Sequence, residues 1–347
     1  MAHIGLSKNK FENNKVNFGF LFLEGCMRNF GSKNFGLRSR DMGRAGKNAQ
    51  KERGNSFGTV NTNSDRFDQF LKFLDEKQPD IKDLRDIERE HVLEYGEHLK
   101  DQIFDGNMSP AYGQNLLSAV NTTLDQARQD KECHVDAVHD AGLPERSGIT
   151  EQDHCVSKEL HEETKDKVSD RLGALMDLQR EFGLRFKESS LLDAKKCLED
   201  IEKYDRINID RGTKGGQSRE LELHNKESQL EALQNAAKLQ GDHDSMIPTD
   251  LTYEQFKNDC YNELKETDMN GFHGERHLYA NDRYEQETGY PAPCRTDFKH
   301  GRDHLEHMAK DLGIPYKEAK ELDHKARMEI SEELGHHRLS VTNYYLG

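Results

Sequence analysis

Apolar residues recur along this chain at helical spacing, in short runs separated by polar stretches that carry glycine or proline. Phe67, Phe70, Leu71 and Leu74 share one face of a 3.6-residue repeat, and Pro79 closes that helix. Val92, Tyr95, Leu99 and Ile103 predict a second helix. Ser109-Pro110 supplies the N-cap and first-turn proline of a third, which carries Leu116, Leu117, Val120 and Leu124. Residues 59–135 therefore read as a small all-helical bundle. Ahead of it, Gly31 to Gly58 is rich in Gly, Asn, Ser and basic residues with almost no apolar period, which predicts a mobile linker. The longest apolar run, Phe18 to Leu23, is too short to span a bilayer and predicts a short strand or a buried hook.

A polar stretch over 136–155, holding Gly142, Pro144 and Gly148, reads as an interdomain linker, so a second unit covers 156–347. It opens with a helix whose apolar face is Val168, Leu172, Leu175, Met176 and Phe182, and continues through Gly183-Leu184-Arg185 into a helix holding Leu191, Leu192 and Leu198. The one good strand pair follows. Ile207 and Ile209 alternate on one strand and Leu221 and Leu223 on the other, joined by the glycine-rich turn 211–218. Helical pattern returns over Leu230–Leu239, after a Thr252-x-x-Gln255 capping box, and in the charged segments 301–312 and 317–334. The tail, Glu333 to Gly347, reads as a helix end followed by a terminal strand or turn. The fold class is mostly α with a small β-hairpin, an α+β chain.

Composition supports this division and adds an asymmetry. With 347 residues there is chain for two domains with cores, and 33% hydrophobic against 33% charged residues predicts helices with broad solvated faces. A net charge of −15, taken alone, argues against a nucleic-acid partner. Residues 1–60, however, hold eleven Lys/Arg and four acids, a balance of +7, which leaves −22 for the remainder. A basic arm over 1–58 on an acidic body fits a segment that touches phosphate, and fits a solubilising or disordered tail equally. The six cysteines show no CxxC and no regular spacing, so neither a disulfide framework nor a metal site is indicated and a reduced cytoplasm is the expected location.

Four places in the second unit can carry chemistry: Arg185 after Gly183-Leu184, Lys214 in the hairpin turn, His273-Gly-Glu-Arg276-His, and Gly335-His336 with Tyr345 beyond it. Each has an ordinary reading alone. Arg185 is a surface residue, Lys214 a solvated loop tip, His273 and Arg276 a polar stripe, and the terminal tyrosines an anchor. Taken in order, Arg, hairpin Lys, His-x-x-Arg, Gly-His, and Tyr nine residues later resemble the catalytic domain of the tyrosine recombinases, the phage integrase family. The bundle before them resembles that family's core-binding domain.

The resemblance implies a site-specific recombinase or integrase of a phage or integrative mobile element. Such an enzyme cleaves and rejoins double-stranded DNA at attachment sites through a 3′-phosphotyrosyl link, with no metal and no cofactor. It also implies a homo-oligomer, a tetramer on paired sites, with accessory DNA-bending or directionality proteins as further partners and no membrane. Tyr345 takes the nucleophile's role. Tyr344, eight residues past His336, is read as its packing neighbour. Arg185 and Arg276 would carry charge on the nonbridging phosphate oxygens, where a guanidinium offers a fixed fork of donors. His273 and His336 would add donors or manage the nucleophile's proton, and Lys214 would protonate the leaving 5′-oxygen.

Three features depart from the family pattern. Glu275 stands where an apolar residue usually precedes the second arginine; sixty positions separate Arg276 from His336, which reads as an insertion over 286–330; and only Leu346 and Gly347 follow Tyr345. Alternatives therefore stand beside the recombinase: a type IB topoisomerase, a noncatalytic DNA-binding protein descended from a recombinase, and a helical interaction protein favoured by the acidic charge.

Overall fold

The structure, a computed structural model, describes residues 28–347, which divide between Arg146 and Ser147 into two compact units. The expected strand or hook at Phe18–Leu23 lies outside the described residues. The chain is mostly helical with a small antiparallel sheet. No helix among the described residues is long and apolar enough to cross a membrane.

Four helices build the first unit: α1 (Met42–Glu52), α2 (Phe57–Lys77), α3 (Arg89–Phe104) and α4 (Pro110–Arg128). Serine side chains at Ser56 and Ser109 accept from the backbone N–H three residues on and start α2 and α4, and Pro110 occupies the first turn of α4. Phe67, Phe70, Leu74, Val92, Leu116 and Val120 interlock in one core. The segment 31–58 is not the structureless linker its composition suggests. It contains α1, buried through Ala45, Ala49, Gly46 and Gln50. A Cβ at Gly46 would lie 2.7 Å from the Phe67 ring, and Gln50 Nε2 donates to Thr123 Oγ1 at 2.7 Å. A helix buried through Ala, Gly and Gln leaves no large apolar period to read.

The stretch 136–155 also differs from a free linker at its start. The Asp136 carboxylate accepts from the Val138 and His139 N–H groups, and the turn it holds buries Ala141 and Leu143 in the first unit's core.

The second unit comprises α5 (Lys158–Lys165), α6 (Asp170–Phe182), α7 (Phe186–Leu191), α8 (Ala194–Tyr204), β1 (Arg206–Ile209), β2 (Arg219–Glu222), α9 (Lys226–Gln240), α10 (Tyr253–Leu264), α11 (His273–Thr288), α12 (Arg302–Leu312), α13 (Tyr316–Glu333) and α14 (Leu339–Leu346). Its core gathers Leu172, Leu175, Met176, Phe182, Ile207, Leu221 and Leu233. The helix expected over Leu191–Leu198 is two helices. Leu192 is extended, and Asp193 accepts from the Lys196 N–H to restart the chain as α8.

In the hairpin Ile207 faces Leu221 and Ile209 faces Arg219. Leu223 lies just beyond the strand and packs half-buried against the core, and the inward position opposite Ile209 is held by the buried Arg219. The region 286–330 forms α12 and most of α13 around a satellite cluster of Tyr290, Leu305, Met308 and Ala319. The tail after His336 is the helix α14, where a strand or turn was expected. Its side chains Thr342, Tyr345 and Leu346 are buried, which gives the short segment a face to fold against.

Candidate active site

Gly183 ends α6 with a φ of +59°, and a Cβ there would lie 2.5 Å from the Tyr279 ring, so the position excludes side chains on two counts. The turn aims Arg185 inward at the start of α7 and presents the Gly183 carbonyl to the Arg276 guanidinium. Arg276, in the first turn of α11, has no exposed surface. Its Nη2 donates to the Leu334 carbonyl at 2.6 Å and its Nε donates to the Tyr345 hydroxyl at 3.1 Å. His336 completes the group. Its Nε2 lies 3.3 Å from Nη2 of both Arg185 and Arg276 and 3.5 Å from the Tyr345 hydroxyl. Because a guanidinium can only donate, Nε2 is the bare nitrogen of a neutral ring and the proton sits on Nδ1.

One carboxylate that the sequence reading passed over organises the cations. Glu188 is buried, and Oε1 accepts from Arg185 Nη1 at 2.7 Å and Arg219 Nη1 at 2.9 Å while Oε2 accepts from the Arg185 N–H and Arg219 Nη2, both at 2.8 Å. Burial opposes its charge, but the Arg219 bonds and charge, the Arg185 N–H and Arg276 overcome this and bring its pKa down to about 2. A second anchor is Arg219 Nε, which donates to the Glu333 carbonyl at 2.6 Å. The signal for Glu188 was present in the sequence as an acid three residues after Arg185, the spacing of a capping box. Nothing in the strand pattern marked Arg219, since an arginine in a short exposed hairpin is ordinarily solvated.

Imidazoles surround the tyrosine. The Tyr345 ring centroid lies 5.5 Å from that of His273, 4.9 Å from His277 and 6.0 Å from His336. Loss of solvent, then the Arg276 and Arg185 charges, push His273 down to about 4 and His336 to about 3; loss of solvent and the neighbouring His273 and His154 push His277 to about 4. All three are therefore neutral near pH 7. His277 is buried with its Nδ1 unpartnered.

Of the six residues singled out in the sequence, Arg185, Arg276, His336 and Tyr345 meet within hydrogen-bonding reach, and His273 packs beside the tyrosine ring without a hydrogen bond. Lys214 stands apart. It is exposed on the hairpin tip, within electrostatic range of His336. Tyr344 is 53% exposed, so it does not pack beneath Tyr345 as a neighbour would. Glu275 points away from the site, its oxygens 2.7 Å from His161 Nδ1 and 2.8 Å from Arg180 Nη1.

A family model described as Integrase matches residues 149–282, the span that holds Arg185, Lys214, His273 and Arg276. Among solved structures, a lambda integrase dimer bound to a COC′ core site is 15% identical, covers 80% of this chain and 74% of its own, and has a TM-score of 0.47. The XerH site-specific recombinase in a pre-cleavage complex with difH is 17% identical over 91% of this chain and 81% of its own, with a TM-score of 0.45. The integrase of mycobacterium phage Brujita is 16% identical over 86% of this chain and 93% of its own, with a TM-score of 0.29. No curated protein matches. The integrase match spans less than half of the chain and ends before His336 and Tyr345, so residues 149–282 are similar to that family.

Proposed function

We propose that this protein is a site-specific recombinase that cleaves and rejoins double-stranded DNA through a 3′-phosphotyrosyl link to Tyr345, as part of a phage or integrative mobile element. The observation that carries the reading is the meeting of the Arg185 and Arg276 guanidiniums and His336 Nε2 at the Tyr345 hydroxyl, from segments as much as 160 positions apart in sequence. The two guanidiniums, held from behind by Glu188 and by backbone carbonyls, bind the nonbridging oxygens of a scissile phosphate and take up the charge that builds there. When they turn to phosphate, His336 Nε2 is left free to accept the tyrosine proton.

The Tyr345 oxygen then attacks phosphorus. A phosphorus–oxygen bond forms to Tyr345, the bond to the 5′-oxygen breaks, and Lys214 on its hairpin donates a proton to that oxygen. Rejoining runs the same steps in reverse, so the phosphoester energy is conserved. His273, neutral beside the tyrosine ring, donates a further hydrogen bond to the phosphate. The protein works on paired attachment sites as a homo-oligomer, a tetramer, with accessory DNA-bending or directionality proteins as further partners, inside the cell that carries the element.

Glu275 and the insertion over 286–330 are the grounds for a noncatalytic descendant, and the pairing of Glu275 with His161 and Arg180 turns that carboxylate away from the Tyr345 hydroxyl. The test is to incubate the protein with DNA from its own element's attachment region and look for an SDS-resistant, protease-sensitive adduct. An adduct that persists in Tyr345→Phe would falsify the nucleophile assignment. Relaxation of any supercoiled plasmid, without paired sites, would instead indicate a topoisomerase.

A further inference from the structure

The acid that breaks the family pattern is the entry to a buried network behind the site. Glu275 occupies the first turn of α11, between His273 and Arg276, and its side chain has no exposed surface. Its Oε1 lies 2.7 Å from His161 Nδ1 on α5, and its Oε2 accepts from Arg180 Nη1 on α6 at 2.8 Å. The other ring nitrogen of His161, Nε2, lies 2.9 Å from Asp177 Oδ1 on α6. A neutral imidazole has one N–H and one lone pair, so it can bond only one of these two carboxylates and sets its lone pair against the other. Both contacts are hydrogen bonds only when the ring carries two protons.

We propose that doubly protonated His161 is a positioning residue for DNA cleavage: it clamps the first turn of α11, and loss of its proton loosens that turn and slows cleavage at alkaline pH. The proposal rests on the recombinase reading above. The turn it holds is otherwise closely fitted, since a Cβ at Gly274 would lie 2.5 Å from Val156 and the Val156 carbonyl accepts from the same Arg180 at 3.3 Å. Arg276 and His273 ride on that turn, so a small displacement reaches the scissile phosphate directly.

The charged groups facing His161 are Glu275 from α11, Asp177 and Arg180 from α6, and Lys165 one turn along α5, which donates to Asp177 at 2.8 Å. Burial disfavours the imidazolium and Arg180 opposes it, but the bonds to Asp177 and Glu275 outweigh both, so its pKa is raised. A raised histidine contributes fully below its unfolded value of about 6.5, and that contribution is lost as pH rises through the folded value. The imidazoles beside Tyr345 titrate in the opposite region, near 3 to 4.

The experiment measures the rate of phosphotyrosyl adduct formation on a nicked attachment-site DNA from pH 6 to 9, for the wild type, His161→Gln and Glu275→Gln. The wild-type rate falls as pH rises, with its midpoint above the free-histidine value. His161→Gln begins about tenfold slower, stays flat across the same window, and binds DNA within threefold of wild type. An alkaline limb that survives in His161→Gln overturns the proposal. The His161 ring is followed in parallel by NMR on the intact wild type, which covers the case where His161→Gln does not fold. A midpoint above 6.5 that drops in Glu275→Gln supports the clamp, and a midpoint at or below 6.5 overturns it. If the wild type forms no adduct, the recombinase reading fails by itself, and the NMR titration with amide exchange along α11 still decides whether His161 clamps that helix.

Discussion

The Arg276 Nε donates to the Tyr345 hydroxyl at 3.1 Å, joining the first turn of α11 to the last turn of α14. The same guanidinium binds the carbonyls of Gly183 and Leu334, so one side chain ties together the ends of α6, α13 and α14. Burial lowers its pKa to about 10, which leaves it charged at neutral pH. Arg276→Lys keeps a charge but loses the planar fork that reaches these partners at once. Adduct formation should fall by about a hundredfold or more, and denaturant unfolding should show a loss of about 3 kcal/mol. Cleavage within tenfold of wild type would show that the fork is not needed.

Gly183→Ala tests the same junction from the backbone. The φ of +59° and the approach to Tyr279 are independent penalties, and together they should cost about 2 kcal/mol or more. The shift of the Gly183 carbonyl should also displace Arg276, so cleavage should fall further than stability explains at a temperature where the variant is folded. A variant that melts and cleaves like wild type would contradict the geometry.

How much of this was legible beforehand depended on what marked each residue. The helices of the first unit and α6 declared themselves through large apolar side chains at 3.6-residue spacing, as at Phe67, Phe70 and Leu74. Helix α1 did not, because Ala45, Gly46, Ala49 and Gln50 bury it without an apolar stripe. In the site, Arg185, Arg276, His336 and Tyr345 were singled out by the family resemblance that their order and spacing carry, and the structure brings them within hydrogen-bonding reach. The holding roles of Glu188 and Arg219 were missed because they act on other side chains, and the carboxylate's four donors come from two arginines, one of them 31 positions away in sequence. The partners of Glu275 were equally hidden, since His161 and Arg180 lie far upstream and only the packing of α5, α6 and α11 brings them to it.

Glu188 gives a pH dependence on the acid side. Its folded pKa, about 2, lies below the ordinary carboxylate value of 4.5. A depressed carboxylate contributes stability above its unfolded value and loses it as pH falls through the folded one. The contribution is therefore complete above about 4.5 and disappears by about 2, with an order of magnitude of about 3 kcal/mol. Acid unfolding of Glu188→Gln should be less steep than wild type across this window, and the variant should already be less stable at pH 7 because Arg219 is left buried beside a neutral amide. Parallel stability curves for the two proteins between pH 5 and 2 would sink this account.

Lys214 has no hydrogen bond or ion pair among the described residues and sits exposed on a turn whose Gly215 and Gly216 both have positive φ. Such a tip can move onto bound DNA without breaking any packed contact, which suits a proton donor that must reach the departing 5′-oxygen. Lys214→Ala should accordingly leave folding unchanged and DNA binding reduced by less than about fivefold, the loss of one phosphate-range charge. Cleavage should slow by about a hundredfold or more. Replacing the bridging 5′-oxygen by sulfur removes the need for an acid, because a thiolate leaves unassisted. On that substrate Lys214→Ala should cleave at close to the wild-type rate, whereas Arg276→Lys, which impairs charge stabilisation, should stay slow. If sulfur fails to restore Lys214→Ala, the lysine acts on the phosphate or on DNA binding and the proton comes from elsewhere.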